Sequence, residues 1–321
     1  LMTGIFGAFM SVLDSTIVNT AIPKIQGIFG ADLHQASYIT TAYTLAAGVT
    51  VSTSGFLANR FGIKRMYLLS LAAFTIGSAL CGLAWGIVPL IIFRVLQGAG
   101  GAALFPLTFS LVFSVFSPQE RGLANGIFGI PVLFAPALGG YLVEFTDWRV
   151  IFYVNLPIGI IGLLLGIRFL REGPTQPNLP FDLRGFLIIG PALGLLLYGL
   201  SNLSYDGWSN VRTVSGPTLL ALFLIAVYIP VELETERPLL DLRLFRNRNF
   251  LVGNIIIWIA TVGLFGPSFL LPQYLQNLRG LDPYHSGLQL LPNGLAAMVG
   301  TVLGGFPVSY THLRAHETGR N

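Results

Sequence analysis

Charged side chains are scarce in this chain. Aspartate, glutamate, lysine and arginine make up 10% of its 321 residues, whereas hydrophobic side chains make up 53%. Soluble domains carry about 25% charged residues. The composition therefore excludes a soluble globular protein and predicts a chain that lies in a lipid bilayer.

Cysteine and recognisable catalytic groups are scarce too. Cys81 is the only cysteine and lies in an apolar run, which excludes a disulfide framework and favours a packing role. The sequence contains no phosphate-binding loop, no convincing cluster of metal ligands and no nucleophile–base–carboxylate set. It therefore predicts neither an enzyme nor ATP-driven transport, and no cofactor or metal is expected.

Apolar runs of about 20 residues, long enough to cross a hydrocarbon core of about 30 Å, recur along the whole chain. Their glycine, proline, serine and threonine content is typical of packed transmembrane helices, because outer-membrane strands would alternate polar and apolar residues. The predicted fold class is an all-α integral membrane protein. The ten predicted spans are 1–22, 37–58, 66–85, 88–115, 122–145, 149–168, 184–203, 214–232, 250–272 and 285–306.

Positive charge is distributed unevenly between the loops. Eleven basic residues fall in the loops at 59–66, 116–121, 168–184 and 232–249, and four fall in the opposite loops. Cytoplasmic loops carry an excess of lysine and arginine, so the first set is assigned to the cytoplasm. The basic isoelectric point thus reflects topology, and no nucleic-acid partner is expected. The cytoplasmic set is Arg60, Lys64, Arg65, Arg121, Arg168, Arg171, Arg184, Arg237, Arg243, Arg246 and Arg248; the opposite set is Lys24, Arg149, Arg212 and Arg279.

Arg94 stands alone in an apolar stretch. No charged side chain occurs from 66 to 93 or from 95 to 119. An arginine at the centre of a membrane helix costs roughly 2.5–3.5 kcal/mol on insertion scales, so it is normally retained for a partner or a pathway. A functional role is predicted for Arg94. The alternative is that Arg94 only links two helices to each other.

Asp14 is the matching acidic residue. It lies about 20 Å along a helix from Leu1 at 1.5 Å per residue, well inside the membrane. Burial favours the neutral form of a carboxyl group, and a nearby cation favours the ionised form. These opposed effects would let Asp14 load and release a proton. The alternative is a carboxylate locked permanently to Arg94 or capped by backbone.

Four segments carry a family resemblance: 13–23, 55–65, 94–103 and 126–140. Together they resemble the major facilitator superfamily, and within it the fourteen-helix drug:proton antiporters. The resemblance implies that about 10 of an expected 14 transmembrane helices are present. It also implies an N-terminal six-helix bundle at 1–171, a cytoplasmic linker at 172–183, a two-helix insert at 184–232, a cytoplasmic amphipathic loop at 233–249 and the start of a C-terminal bundle at 250–307.

Residues 308–321 interrupt the apolar pattern and resemble one reading frame of a sequencing adapter. They are expected not to belong to the natural protein, and the chain is expected to be a truncated fragment. His312 and His316, although spaced like metal ligands on a helix, are therefore not interpreted as a metal site.

The resemblance also implies roles for particular residues. Asp14 and Arg94 are expected to couple transport to protons. Substrate contact is expected at Thr16, Asn19 and Gln97, of which Gln97 shares a helix face with Arg94. The expected gating loop comprises Gly55, Asn59, Arg60, Gly62, Lys64 and Arg65, and the expected antiporter motif comprises Pro131, Pro136, Gly139 and Gly140.

The sequence departs from the family pattern at two positions, and two of the motifs have alternative explanations. The family has an aspartate where this chain has Asn59, which leaves a hydrogen-bonding cap as the remaining role, and it favours glycine where this chain has Ala135. Topology alone would explain the basic residues of the loop. Packing of a proline-kinked helix would explain the antiporter motif, and segments 148–159 and 271–276 are interpreted mainly as packing and interfacial anchoring.

The predicted function is proton-coupled export of hydrophobic or cationic small molecules across the inner, cytoplasmic membrane. The expected partners are the small-molecule substrate, protons, the lipid bilayer and a periplasmic adaptor protein. The alternative within this class is export of a specific metabolite, lipid precursor or siderophore. A non-transporting structural or sensory membrane protein is the alternative from a different class.

The predicted orientation can be tested with two cysteine variants of the full-length protein. Gly173→Cys and Asn247→Cys should resist an impermeant thiol reagent added outside intact cells, because both positions lie in loops assigned to the cytoplasm. The labelled fraction is compared before and after lysis. Labelling of both variants in intact cells would reverse the orientation.

Overall fold

The computed structural model describes residues 2–115, 129–296 and 299–300, with side chains described for 6–111, 134–296 and 299–300. All regular structure within these ranges is helical, which confirms the predicted fold class. The predicted tail at 308–321, Arg121 and the last part of the final predicted span, at 301–306, lie outside the described residues.

The described residues contain twelve α-helices. The last span of the predicted insert and the long eleventh helix are each extended by a π-helical turn, at Val211–Ser215 and Tyr274–Leu278, and a 3₁₀ turn covers Leu242–Arg246. The helices are α1 Met2–Phe29, α2 Leu33–Phe61, α3 Ile63–Gly82, α4 Ile87–Gly101, α5 Leu104–Val115, α6 Gly129–Phe145, α7 Val150–Tyr153, α8 Asn155–Phe169, α9 Leu183–Asp206, α10 Gly216–Glu234, α11 Arg248–Gln273 and α12 Pro283–Gln289.

Among the described residues, six helical segments are long and apolar enough to cross a membrane, and each matches a predicted span. Helices α1, α2 and α6 occupy three more predicted spans. In α2 the serine and threonine content lowers the hydropathy, and the described part of α6 has only 17 residues. The six segments are Ile63–Gly82, Ile87–Leu111, Val150–Phe169, Leu183–Asp206, Val211–Glu234 and Arg248–Leu278.

Glycine and aspartate set several helix ends. Asp32 caps α2, where its Oδ1 accepts a hydrogen bond from the backbone N–H of Gln35 at 2.7 Å. Gly62 has a φ of 99° and separates α2 from α3, and Gly207 has a φ of 73° at the end of α9. Residues other than glycine rarely adopt such positive φ angles. Glycine at these two positions therefore allows the chain to turn where α2 and α9 end.

The helices group into two compact units by their contacts. One comprises Leu1–Lys24, Phe105–Leu170 and Leu264–Asn321, and in it α6 packs against α12. The other comprises Ile25–Leu104 and Arg171–Gly263, and in it α4 packs against α2 and α3, while α9 packs against α2 and α10. The predicted two-helix insert thus packs on α2. The bundle boundaries expected from the sequence stay a prediction.

Glycines let α4 approach the backbones of both its neighbours. A Cβ atom added to Gly98 would collide with the carbonyl oxygen of Tyr43 in α2. On the other side, a Cβ atom added to Gly77 of α3 would lie 2.7 Å from the Cα of Gln97. Gly98 and Gly77 therefore allow the close helix packing on which association in membranes relies.

Alanine at Gly98 should destabilise the protein. The added methyl group overpacks a backbone contact, which typically costs about 1–3 kcal/mol. Gly194→Ala is the matched control, because Gly194 lies in α9 with nothing within 4 Å of an added Cβ atom. The measurement is the thermal unfolding midpoint in detergent. Equal midpoints for the two variants would contradict the packing argument.

Candidate functional site

A buried carboxylate and a buried amide meet in the first unit. Asp14 of α1 and Asn155, the first residue of α8, are both fully buried. The Asn155 Nδ2 donates a hydrogen bond to Asp14 Oδ1 at 2.9 Å. A carboxylate carries only acceptors when ionised and gains a donor when protonated, whereas an amide carries both kinds of group. Asn155 is thus suited to bond Asp14 in either state.

The side chains expected to contact substrate differ in what they bond. The Thr16 hydroxyl donates to the carbonyl oxygen of Val12 in its own helix at 2.8 Å. Asn19 is 5% exposed, and its Oδ1 has no hydrogen-bond partner among the described residues. Thr16 thus uses its only donor within its own helix, whereas Asn19 keeps an unbonded amide oxygen.

The described part of the expected antiporter motif lies at helix contacts in the same unit. A Cβ atom on Gly139 would lie 2.5 Å from the Thr20 hydroxyl of α1, and one on Gly140 would collide with the carbonyl oxygen of Pro283. Pro136 is buried inside α6. The side chain of Pro131 lies outside the described residues. The structure therefore shows a packing role for these two glycines.

Arg94 lies in the second unit, fully buried in α4. Its Nη1 donates to Gln97 Oε1 at 2.7 Å, and its Nε donates to the carbonyl oxygen of Ile39 in α2 at 3.2 Å. The guanidinium carbon lies 4.2 Å from the centre of the Tyr43 ring. Arg94 thus links α4 to α2, and Gln97 shares its surroundings as predicted.

The structure brings Asp14 together with Asn155, and Arg94 together with Gln97. The two groups belong to different units, and an influence of Arg94 on the proton affinity of Asp14 stays a prediction. Polar contacts hold both charged side chains inside helices that are otherwise apolar.

The expected gating loop is bound by the linker that follows α8. Glu172 Oε1 accepts a hydrogen bond from the backbone N–H of Lys64 at 3.0 Å, and its Oε2 lies 3.7 Å from the Nε of Arg65. A Cβ atom at Gly62 would collide with this carboxylate. The carboxylate lies at the N-terminus of α3, where helix backbone N–H groups favour negative charge.

Two further contacts join the loop to the linker. The backbone N–H of Gln176 donates to the carbonyl oxygen of Asn59 at 2.8 Å, and the Arg60 Nη1 donates to the carbonyl oxygen of Leu179 at 3.3 Å. The described residues include no hydrogen bond to the Asn59 side chain. The end of α2 is capped instead by the Gly62 N–H, which donates to the Ala58 carbonyl oxygen at 2.9 Å.

Sequence reasoning missed Asn155 and Glu172. The segment that contains Asn155 was interpreted mainly as packing, although an amide at the start of an apolar run is the kind of polar group that needs a partner in a membrane. Gly55, a member of the expected gating loop, has no described atom within 4 Å of an added Cβ atom and therefore shows no close helix contact.

Comparison with known proteins identifies the family. The chain matches the Major Facilitator Superfamily over residues 4–314. It is 37% identical to the Multidrug resistance protein B homolog of Mycobacterium tuberculosis, over 94% of this chain and 57% of that protein. It is 34% identical to the Multidrug export protein EmrB of Escherichia coli, over 91% of this chain and 58% of that protein.

A further curated relative and a solved structure also match this chain. The Tetracenomycin C resistance and export protein of Streptomyces glaucescens is 33% identical over 94% of this chain and 56% of its own length. Among solved structures, a peptide transporter POT in complex with sulfate gives a TM-score of 0.62 at 17% identity, over 96% of this chain and 68% of that one. The chain spans less than three fifths of these curated relatives.

The matched family is one of transporters, and these relatives together with the apolar helices make the chain a multi-pass protein of the cell membrane. The match extends over nearly all of its length, through both contact units and all four motifs. The chain belongs to the Major Facilitator Superfamily.

Proposed function

We propose that the full-length protein exports hydrophobic or cationic small molecules in exchange for protons. The relatives named for multidrug resistance and export support outward transport of such compounds. The observation that carries proton coupling is the buried Asp14 carboxylate with the Asn155 amide bonded to it. A carboxylate in this position can hold a proton without losing its hydrogen-bonding partner.

The driving force would be the proton gradient across the membrane. Its electrical part supplies about 2.3 kcal/mol per charge per 100 mV. In this proposal Asp14 accepts the proton, Arg94 tunes its affinity for it, and Gln97 positions the guanidinium group. Thr16 and Asn19 face the substrate, with Asn19 offering its unbonded acceptor.

Three further parts of the proposal rest on the chain's relatives and on its motifs. The loop at 55–65 acts as a gate on the cytoplasmic side, held by Glu172. A periplasmic adaptor protein is a proposed partner.

Export of one specific compound is the second candidate function, because one relative is named for tetracenomycin C resistance and export. Efflux measured with a panel of unrelated dyes and drugs distinguishes broad from specific export.

Asp14→Asn in the full-length protein should insert and fold but lose proton-driven efflux. Asparagine keeps the shape of the side chain and removes its titration. The measurement is drug efflux from energised vesicles at a set pH gradient, with the amount of protein checked by fluorescence. Ser15→Ala is the control, because the Ser15 hydroxyl bonds only the Val12 carbonyl oxygen of its own helix at 2.9 Å. Undiminished efflux in Asp14→Asn would place the proton site elsewhere.

Asn155→Leu should reduce proton-driven efflux, because leucine cannot donate the hydrogen bond that Asn155 Nδ2 makes to Asp14 Oδ1. The measurement is efflux per amount of folded protein at a set pH gradient, compared with that of the unmodified protein. A reduced amount of protein with unchanged efflux per molecule would show that Asn155 only stabilises the fold.

A further inference from the structure

Two carboxylates meet where helix α9 begins and helix α10 ends, within the predicted two-helix insert. Asp182 is the N-cap of α9, and Glu232 lies in the last turn of α10, where it is 1% exposed. The two helices pack against each other within the second unit. The pair is distant in sequence from Asp14 and uses none of the groups assigned to transport above.

Each carboxylate has one bonded and one unbonded oxygen. Asp182 Oδ1 accepts a hydrogen bond from the Gly185 N–H at 2.8 Å, and Glu232 Oε1 accepts one from the Leu240 N–H at 2.6 Å. The remaining oxygens, Asp182 Oδ2 and Glu232 Oε2, are buried and have no hydrogen-bond partner among the described residues.

The two unbonded oxygens lie beside the same glycine. A Cβ atom at Gly185 would collide with Asp182 Oδ2 and lie 2.7 Å from Glu232 Oε2. The absence of a side chain at Gly185 therefore leaves the space in which the two carboxylates face each other. Alanine at this position would push them apart.

No described cation neutralises the pair. Neither carboxylate lies within ion-pair distance of a described lysine, arginine or histidine. Arg184 and Arg237 line a neighbouring cavity of about 600 Å³ together with Asp182 and Glu236, without pairing with either carboxylate. Tyr228 lies one turn before Glu232 on α10, is 2% exposed, and is a polar neighbour of the Glu232 carboxyl group.

Two facing anions without a cation are unfavourable at such a site. Removing an ion from water costs several kcal/mol, and like charges that share a site cannot both stay ionised. One proton placed between Asp182 Oδ2 and Glu232 Oε2 gives both oxygens a partner and leaves a single negative charge. We propose that Asp182 and Glu232 share one proton, forming a proton-binding site on the insert helices that is separate from Asp14.

The shared proton would hold three parts of the chain together. Asp182 caps the start of α9, Glu232 ends α10, and the Leu240 N–H ties the following segment to Glu232. Loss of the proton leaves two like charges facing each other and loosens this end of the hairpin. The stabilisation is present at low pH and is lost as the pH rises, because the folded state holds a proton that the unfolded chain has released.

The test compares the unmodified protein with Glu232→Gln and Asp182→Asn. Each amide replaces the shared proton with an N–H donor, and asparagine remains a good N-cap. All three proteins carry Asp14→Asn in the infrared measurement, so that Asp14 cannot contribute. The infrared absorption of a protonated carboxyl group should then be present with Asp182 and Glu232 intact and lost in both variants. As the pH rises, the unfolding constant of the unmodified protein should increase relative to that of Glu232→Gln by up to about tenfold per pH unit.

Asp241→Asn is the matched control, since Asp241 is an exposed carboxylate that caps the 3₁₀ turn through the Arg243 N–H. It should leave the infrared band and the relative pH dependence unchanged. The proposal is overturned if the band persists in both amide variants, or if Glu232→Gln and the unmodified protein show the same pH dependence. Stability that falls on adding a chelator would indicate a bound metal ion and would also overturn it. None of these readouts depends on transport, so their outcome is independent of the proposal for Asp14.

Discussion

The structure depends on one constraint: polar groups inside a bilayer find their partners in the protein, because lipid offers no hydrogen bonds. Asp14 meets this constraint through the Asn155 amide, and Arg94 meets it through Gln97, the Ile39 carbonyl oxygen and the Tyr43 ring. The Asp14–Asn155 bond and the Arg94 contacts with Ile39 and Tyr43 join helices that are far apart in sequence. The few charges that the chain retains in apolar helices therefore also determine which helices meet.

Glycine makes these contacts geometrically possible. Gly98 and Gly77 remove the side chains that would separate α4 from the backbones of α2 and α3. Helix association in membranes relies on such close packing, since the hydrophobic effect does not drive one apolar helix towards another. The same helix, α4, carries Arg94, so the short distance between helices brings the guanidinium group within reach of α2. Packing and charge placement are thus two aspects of one arrangement.

The sequence predicts local features well and distant pairings poorly. Apolar runs of sufficient length predict the helices, and the isolation of Arg94 predicts its burial, because both follow from the surrounding residues alone. The bond between Asp14 and Asn155 joins residues 141 positions apart, and no local pattern specifies which buried amide will meet which carboxylate. Glu172 was missed for the same reason, since its partners at 62–65 precede it by more than 100 residues. The grouping of the insert helices with α2 is likewise a tertiary outcome.

The two carboxylate sites differ in what protonation does to them. At Asp14 one partner is an amide, which carries both a donor and an acceptor and can bond either form of a carboxyl group. In the site proposed at Asp182 and Glu232 the partner is a second carboxylate, and a shared proton gives both unbonded oxygens a partner. An amide partner suits a group that must cycle, whereas a carboxylate partner suits a group that holds a structure below a given pH. The chemistry of the neighbouring side chain, more than burial itself, therefore separates the coupling role proposed for Asp14 from the stabilising role proposed for Asp182 and Glu232.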